Sequence, residues 1–332
     1  MTVPLTRRAA LGLALTPALA RTGAAQAPAP WRPNRPIRMV VPTAAAGAND
    51  VMARIAAQFL APRLGQPVVV DNRAGAGGTI GTMDVLRSPP DGHTLLMGNI
   101  GAQSIAYSLA RNMPYGPDDL VPISNMFTTP HVLVVHPTVP ATTLRDFVAL
   151  LRDSPDKYSY GTPGIGQSPH LAAVWFNQVA QTRSVPVHYR GTAPANTDLI
   201  AGNIHFVFDL IANHVESIRA GRVRAIAVTG PERSPLMPEL PTMREAMAEF
   251  ATFSTGSWIG LLAAKGTPEA AIRTLNAEMR DLLTSPETAQ RFLALGGTPA
   301  YGAPEEFGAF LRAETAKWAE VIRREGLQVD LT

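Results

Sequence analysis

From residue 37 onward, short apolar runs alternate with longer stretches in which apolar residues recur at helical spacing. The runs at 37–41, 68–70, 94–97, 132–135, 158–160, 204–208 and 224–228 predict strands, the fourth closed by Pro137. Helical spacing covers 51–64, where Val51, Ile55, Phe59 and Leu60 share a stripe, and recurs at 79–86, 144–151, 171–179 and 269–283. A last helix is predicted over 305–324, with Phe307, Phe310, Leu311, Trp318 and Ile322 on one face and Gly326 ending it. Strands alternating with helices predict an α/β protein with a parallel-rich sheet covered on both faces. In such folds ligands sit at the carboxyl ends of strands, against helix N-termini, so the loops there are the candidates for function.

The N-terminus has a different character. Arg7 and Arg8 precede an apolar stretch, 9–20, too short to span a bilayer comfortably, and Ala24-Ala25-Gln26 lie before Ala27. Residues 1–26 therefore predict a signal peptide cleaved near 25–27. Thr6-Arg7-Arg8 fits a twin-arginine signal and equally an ordinary export signal. The predicted destination is the periplasm or the cell exterior. Residues 27–36 hold four prolines and predict a linker.

Composition changes the picture in two ways. The net charge of +3 belongs to the first 26 residues, which hold Arg7, Arg8 and Arg21 and no acid; without those three, 26 basic residues remain against 26 acidic. A formally neutral mature chain lacks the cationic surplus of a nucleic-acid binder. There is no cysteine, which removes disulfides, thiol nucleophiles, thiolate metal sites and a lipoprotein anchor. With 46% hydrophobic and 17% charged residues the chain can bury a real core.

Four loops can carry chemistry. Pro42 to Asp50 joins a strand to a helix through small residues, which let backbone N–H groups approach an anion or simply make a tight turn; Asn49 or Asp50 is the expected helix cap. Asn72 to Gly81 suggests a dinucleotide fingerprint, but after Gly75 and Gly77 the third glycine is replaced by Ile80. Gly161 to Ser168 matches a phosphate-binding loop except that Gln167 stands in place of the lysine, which argues against a nucleotide triphosphatase and leaves a small-residue loop opening a helix at Ser168-Pro169. The fourth, Tyr189 to Ala195, also lies between strand and helix, and Asp209 follows the 204–208 strand. There Asp209 can meet a ligand or cap a turn. Enzyme signatures are poor: no G-x-S-x-G elbow and no H-E-x-x-H occurs. His131 and His136 bracket a strand rather than form a metal pair, and His170 sits in a helix's first turn with no partner identifiable from sequence. No cofactor or metal site is predicted.

In order and spacing, several stretches resemble the substrate-binding receptors of tripartite tricarboxylate transporters, the Bug family. They are residues 37–54, Gly65-Gln66-Pro67-Val68-Val69-Val70-Asp71-Asn72-Arg73 with the glycine loop after it, and Pro90-Asp91-Gly92-His93-Thr94-Leu95-Leu96. Residues 160–171, 189–202 and 260–268, with Leu275-Asn276, complete the set. The resemblance implies a two-lobed periplasmic-binding-protein (Venus flytrap) fold, each lobe a mixed sheet flanked by helices, with lobe I from 27–131 and 254–332 and lobe II from 132–253. It implies a non-enzymatic monomer that captures a small organic acid and passes it to membrane transporter subunits. The acid would be held by backbone amides, hydroxyls and ordered water. Family positions fall on Thr43, Ala46, Gly47, Asp50, Gly101, Ala102, Thr162, Gly166, Ser168, His170, Gly191 and Asp209. Two departures stand out: relatives carry Gly-Gly where this chain has Ala46-Gly47, and an aromatic residue often replaces Thr43. The second suggests a more polar acid as ligand. Alternatives are a periplasmic sensor subunit, or a hydrolase using Ser168 and His170.

Overall fold

The computed structural model describes Met1 and residues 31–330, so the expected signal peptide lies almost wholly outside the described residues. Among the described residues there are ten strands: β1 Ile37–Val41, β2 Val68–Asn72, β3 Thr94–Asn99, β4 Leu120–Val135, β5 Ser159–Thr162, β6 Val185–His188, β7 Phe206–Leu210, β8 Arg224–Val228, β9 Gly256–Ala264 and β10 Thr298–Pro299. The helices are α1 Ala48–Leu64, α2 Thr79–Arg87, α3 Ala106–Leu109, α4 Leu144–Asp153, α5 Ser168–Ala180, α6 Thr192–Ala201, α7 Val215–Arg219, α8 Met243–Ala246, α9 Glu269–Leu283, α10 Pro286–Ala294 and α11 Pro304–Glu325. A π-helical turn, Gly101–Ile105, leads into α3.

The strands run in the order β2-β1-β3-β9-β4-β7-β5-β6, with β8 and β10 also paired to β4. Pairing is parallel for β1 with β2 and β3 and for β5 with β6 and β7; β9, β10, β7 and β8 pair antiparallel. Each lobe is thus built on a mixed sheet. The 16-residue β4 joins them. Its segment Leu120–Pro130 pairs with β9, and from His131 onward it pairs with β7 and β8. The chain returns beside it, where Thr255 N–H donates to Thr229 O and Gly256 opens β9 opposite Pro130. Two adjacent strand segments therefore form the connection between lobes.

Period-two alternation explains why the strands read as unbroken apolar runs: both faces of each sheet are covered. In the first lobe Ile37, Met39 and Val41 pack with Met52, Ile55 and Leu60 of α1, and Val40 packs on the opposite face with Leu96 and Trp318. In the second, Leu133 and Val135 join Phe147, Phe176 and Phe206, while Val132 and Val134 face Leu199 and Val207.

The strand expected at 132–135 is only the end of β4. Pro122, Asn125 and Pro130 break the apolar run in sequence. The sheet accommodates the first two at irregularities in the β4–β9 register, between Pro122 and Ser124 and between Asn125 and Phe127. Strand β9 is likewise absent from the sequence reading, because its Gly- and Ala-rich run carries no period that separates strand from buried helix. Helix α1 starts three residues before the expected position. Its N-cap is Gly47, without a side-chain cap, so neither Asn49 nor Asp50 plays that role. Pro169 is the second residue of α5 rather than the first.

Candidate functional site

The loops after β1, β3 and β5 meet on one side of the connection between lobes and enclose a cavity of ≈ 400 Å³. The first lobe contributes Thr43, Asn49, Gly77, Asn99 and Gly101; the second contributes Ile165, Gly166, Gln167 and Ser168; Ser257 lines it from β9. Among the described residues no Lys or Arg lines it, and the one lining carboxylate, Asp330, is an exposed group 3.7 Å from Arg111.

The first loop is held from within. Asp50 is 3% exposed; its Oδ2 accepts Ala46 N–H at 2.9 Å and Arg54 Nε–H at 3.0 Å. The Arg54 bond holds the Asp50 carboxyl below its ordinary range, against burial, with the Ala46 amide adding to the effect. Asn49 Nδ2 donates to Met97 O at 3.0 Å, tying the loop to β3, and Asn72 Nδ2 donates to Thr43 O at 3.3 Å. Ala46 has φ of 66°, a left-handed conformation that costs a residue with a Cβ roughly 1–2 kcal/mol. Gly47 has φ of −78° and does not need to be glycine for its dihedral. The amides of Ala48, Asn49 and Asp50, in the first turn of α1, donate to no backbone acceptor among the described residues, so the positive end of a 17-residue helix is left open beside the cavity. The glycine loop packs beneath: a Cβ on Gly81 would come within 2.9 Å of Pro42 Cα.

The β3 loop is built differently. Asn99 Oδ1 accepts both Gly101 N–H (2.9 Å) and Ala102 N–H (3.2 Å), and Asn99 N–H donates to Gln103 Oε1 (2.8 Å). These helix-start amides are consumed, which leaves Asn99 Nδ2, without a protein acceptor among the described residues, as the donor this loop can offer. Ala102 is fully buried behind the wall; Gly101 lines the cavity.

From the second lobe, Gly166 (φ 74°) faces Leu109 of the first so closely that a Cβ there would sit 2.1 Å from Leu109 Cδ2. Its N–H donates to His170 Nδ1 at 3.1 Å. Amides of Ser168 and His170, opening α5, have no backbone acceptor among the described residues. Ser168 Oγ lies 3.3 Å from Nε2 of His131, whose Nδ1 is 3.1 Å from Thr255 Oγ1. Burial drives the His131 imidazole down to about pKa 4 and does the same to His170, with His188 a lesser cause for the latter. Ser168 and His170 are therefore not joined as nucleophile and base. The histidine that Ser168 meets is oriented by a hydroxyl rather than a carboxylate.

Four remaining positions do not line the cavity. Thr162 is buried, its hydroxyl closing the turn to Gly164 and touching His188 Nδ1 at 3.2 Å. His170 lines a separate ≈ 200 Å³ pocket with His188 and Tyr160. Gly191 (φ 114°) caps α6 and donates to Pro163 O. Asp209 is enclosed: it accepts from Asn196, Asn213, His214 Nε2 (3.0 Å) and its neighbour's N–H. Burial opposes its charge, but the bonds from His214 and Asn196 outweigh burial and keep its pKa low. The structure brings Thr43, Gly101, Gly166 and Ser168 together, with Ala46, Gly47 and Asp50 shaping the first loop. Asn99 and Ser257 escaped sequence reasoning, Gln167 entered it only as the residue in place of a phosphate-loop lysine, and His131 only as a residue at a strand's end.

Two mixed sheets joined by adjacent strand segments, with a cavity at the carboxyl ends of strands from both, define a solute-binding protein of the Venus flytrap class. The model of the tripartite tricarboxylate transporter family receptor matches residues 52–327, and the chain belongs to that family. BugT of Bordetella pertussis is 35% identical over 90% of this chain and 91% of its own. An R. palustris protein solved with adipate is 30% identical with a TM-score of 0.74, covering 90% of this chain and 99% of that one. MatC of Rhodopseudomonas palustris, solved with bound malate, is 31% identical with a TM-score of 0.70, covering 87% and 99%. Among the described residues no helix is long and apolar enough to cross a membrane.

Proposed function

We propose that this protein is an exported receptor that captures a small dicarboxylate between its lobes and delivers it to membrane transporter subunits. One observation carries the reading: Asn49 and Ser168, one from each lobe, line one ≈ 400 Å³ cavity at helix starts whose N–H groups have no backbone acceptor, and no Lys or Arg lines it, among the described residues. Such a site favours a carboxylate through amides, helix dipoles and hydroxyls rather than an ion pair. The bound adipate and malate of the two similar structures support the same class of ligand. In this reading one carboxylate meets the start of α1, near Thr43 and Asn49, and the other meets Ser168 and the start of α5. Asn99 Nδ2 donates from the side. Thr43 places a hydroxyl where relatives often have a ring. Its Oγ1 is buried without a partner, which favours a hydroxylated acid over a purely aliphatic one. Ligand bridging of the lobes stabilises the closed form, and the transporter reads that form. The protein acts as a monomer in the periplasm.

A thermal-shift series with malate, adipate and a tricarboxylate, followed by calorimetry, tests the reading. A true ligand stabilises the protein by about 2.7 kcal/mol at a hundredfold excess over its dissociation constant. Stabilisation by sugars or cations, with no response to any acid, contradicts it. The Thr43 argument makes a finer prediction: Thr43→Val lowers affinity for malate about tenfold and leaves adipate nearly unchanged. Equal losses for both acids would remove the hydroxyl from the account.

A further inference from the structure

The cleft is lined by the loops after β1, β3 and β5. A second cavity of ≈ 420 Å³ lies where β8 and β10 pair with β4, lined by the segment Gly230 to Leu236, the Gly296 to Thr298 turn and α11. The proposed receptor function does not use it.

Its walls are apolar at Pro130, Leu236, Leu293 and Phe310. At its base Lys317, with a side chain 19% exposed, pairs with Glu314 and donates to Ser254 O at 3.0 Å, its ammonium 4.7 Å from the Trp318 ring. The second oxygen of Glu314 accepts Trp318 Nε1–H at 3.1 Å. The ion pair is therefore matched internally. Arg233 is matched by Glu245, and Glu232 brings the lining to two cations against two anions. An anionic occupant would meet no free cation and would lose its hydration without return, and the one lining carboxylate without a partner among the described residues, Glu232, belongs to an exposed residue and gives a cation no desolvated counter-charge. A neutral one meets hydroxyls: Thr128 and Thr298 line the cavity only 3.5 Å apart, a weak mutual contact that leaves both able to bond elsewhere. Trp258, also in the lining, has a buried Nε1–H with no acceptor among the described residues.

The two cavities are also connected. Ser254 O holds Lys317 in the second cavity, and the next residue, Thr255, bonds His131, whose other nitrogen meets Ser168 in the cleft. Ser257 lines both.

We propose that the cavity beside β8 and β10 is a second binding site, for a small uncharged molecule with an apolar body and one hydrogen-bonding group, and that its occupation is linked to that of the cleft. The linkage rests on the receptor reading; the site does not. Fluorine-detected NMR with para-fluorobenzyl alcohol on the wild-type protein tests the site. Saturable binding is expected, weakened at least about tenfold by Leu236→Trp, which fills the cavity. The isosteric Thr298→Val, which removes one hydroxyl, is expected to weaken it about threefold and keeps the test available should the larger change impair folding. No binding, or binding equal in wild type and variants, overturns the site. Calorimetry of the cleft carboxylate with and without saturating probe tests the linkage, for which about a fivefold change in affinity or more is expected. Unchanged affinity overturns the linkage alone. Carboxylate binding without probe binding refutes this inference and leaves the receptor reading intact, whereas probe binding without carboxylate binding does the reverse.

Discussion

At the scale of single residues, Ala46 shows a position where sequence and conformation pull apart. Its left-handed backbone is imposed by the Asp50 carboxylate, which draws in the Ala46 N–H. Ala46→Gly removes the Cβ penalty and adds back unfolded-chain entropy, so a net gain of about 0.5–1 kcal/mol is expected in denaturant unfolding. A loss of stability would show that the Cβ makes a contact worth more than the strain. His131 and His170 make a second prediction. Both are held near pKa 4 by burial, against 6.5 in the free side chain. As pH falls the unfolded chain takes up these protons first, so stability declines from about pH 6.5 to about pH 4. The slope is about 1.4 kcal/mol per pH unit for each histidine. His131→Gln should lower that slope by the His131 share, about 1.4 kcal/mol per pH unit; an unchanged slope would contradict the assignment. Thr43, Gly166 and Ser168 lie in small-residue loops after strands that could be picked out in the sequence, whereas Gly101 came only from the family resemblance. His131 could not be picked out: its importance comes from where β4 crosses between lobes, which no local pattern records.

Among the elements, the first strand-loop-helix unit and the last helix were readable, because their apolar residues keep one period from end to end. The connection between lobes was not. In β4, Pro122 and Pro130 interrupt the run yet are tolerated at irregular or lobe-crossing points; in β9, Gly256, Gly260, Ala263 and Ala264 blur the pattern. The segments that join the lobes are thus the ones whose local signals conflict. One inter-lobe approach at the cleft, Gly166 against Leu109, pairs a loop of one lobe with a short helix of the other. Gly166→Ala should weaken carboxylate binding by about tenfold or more while each lobe stays folded, because the added methyl props the lobes apart. Leu109→Ala on the same background should restore most of the loss. If the double variant binds no better than Gly166→Ala, the effect lies in the left-handed backbone of Gly166 rather than in lobe contact.

For the whole molecule, the proposed carboxylate site has no Lys or Arg among its described lining residues, which shapes how the proposed function would work. A site that holds its ligand by amides from both lobes has its full set of donors only when the lobes meet, so affinity and closure are one event. Scattering in solution should therefore show a smaller radius of gyration with a saturating dicarboxylate than without. The central claim is most directly tested by calorimetric titration of the mature chain with malate and adipate, beside Ser168→Ala. The account predicts saturable one-to-one binding of at least one of them, weakened about tenfold in the variant, which loses a hydroxyl from the cavity and from its contact with His131. Absence of binding for both acids, or identical affinity in the variant, would contradict it.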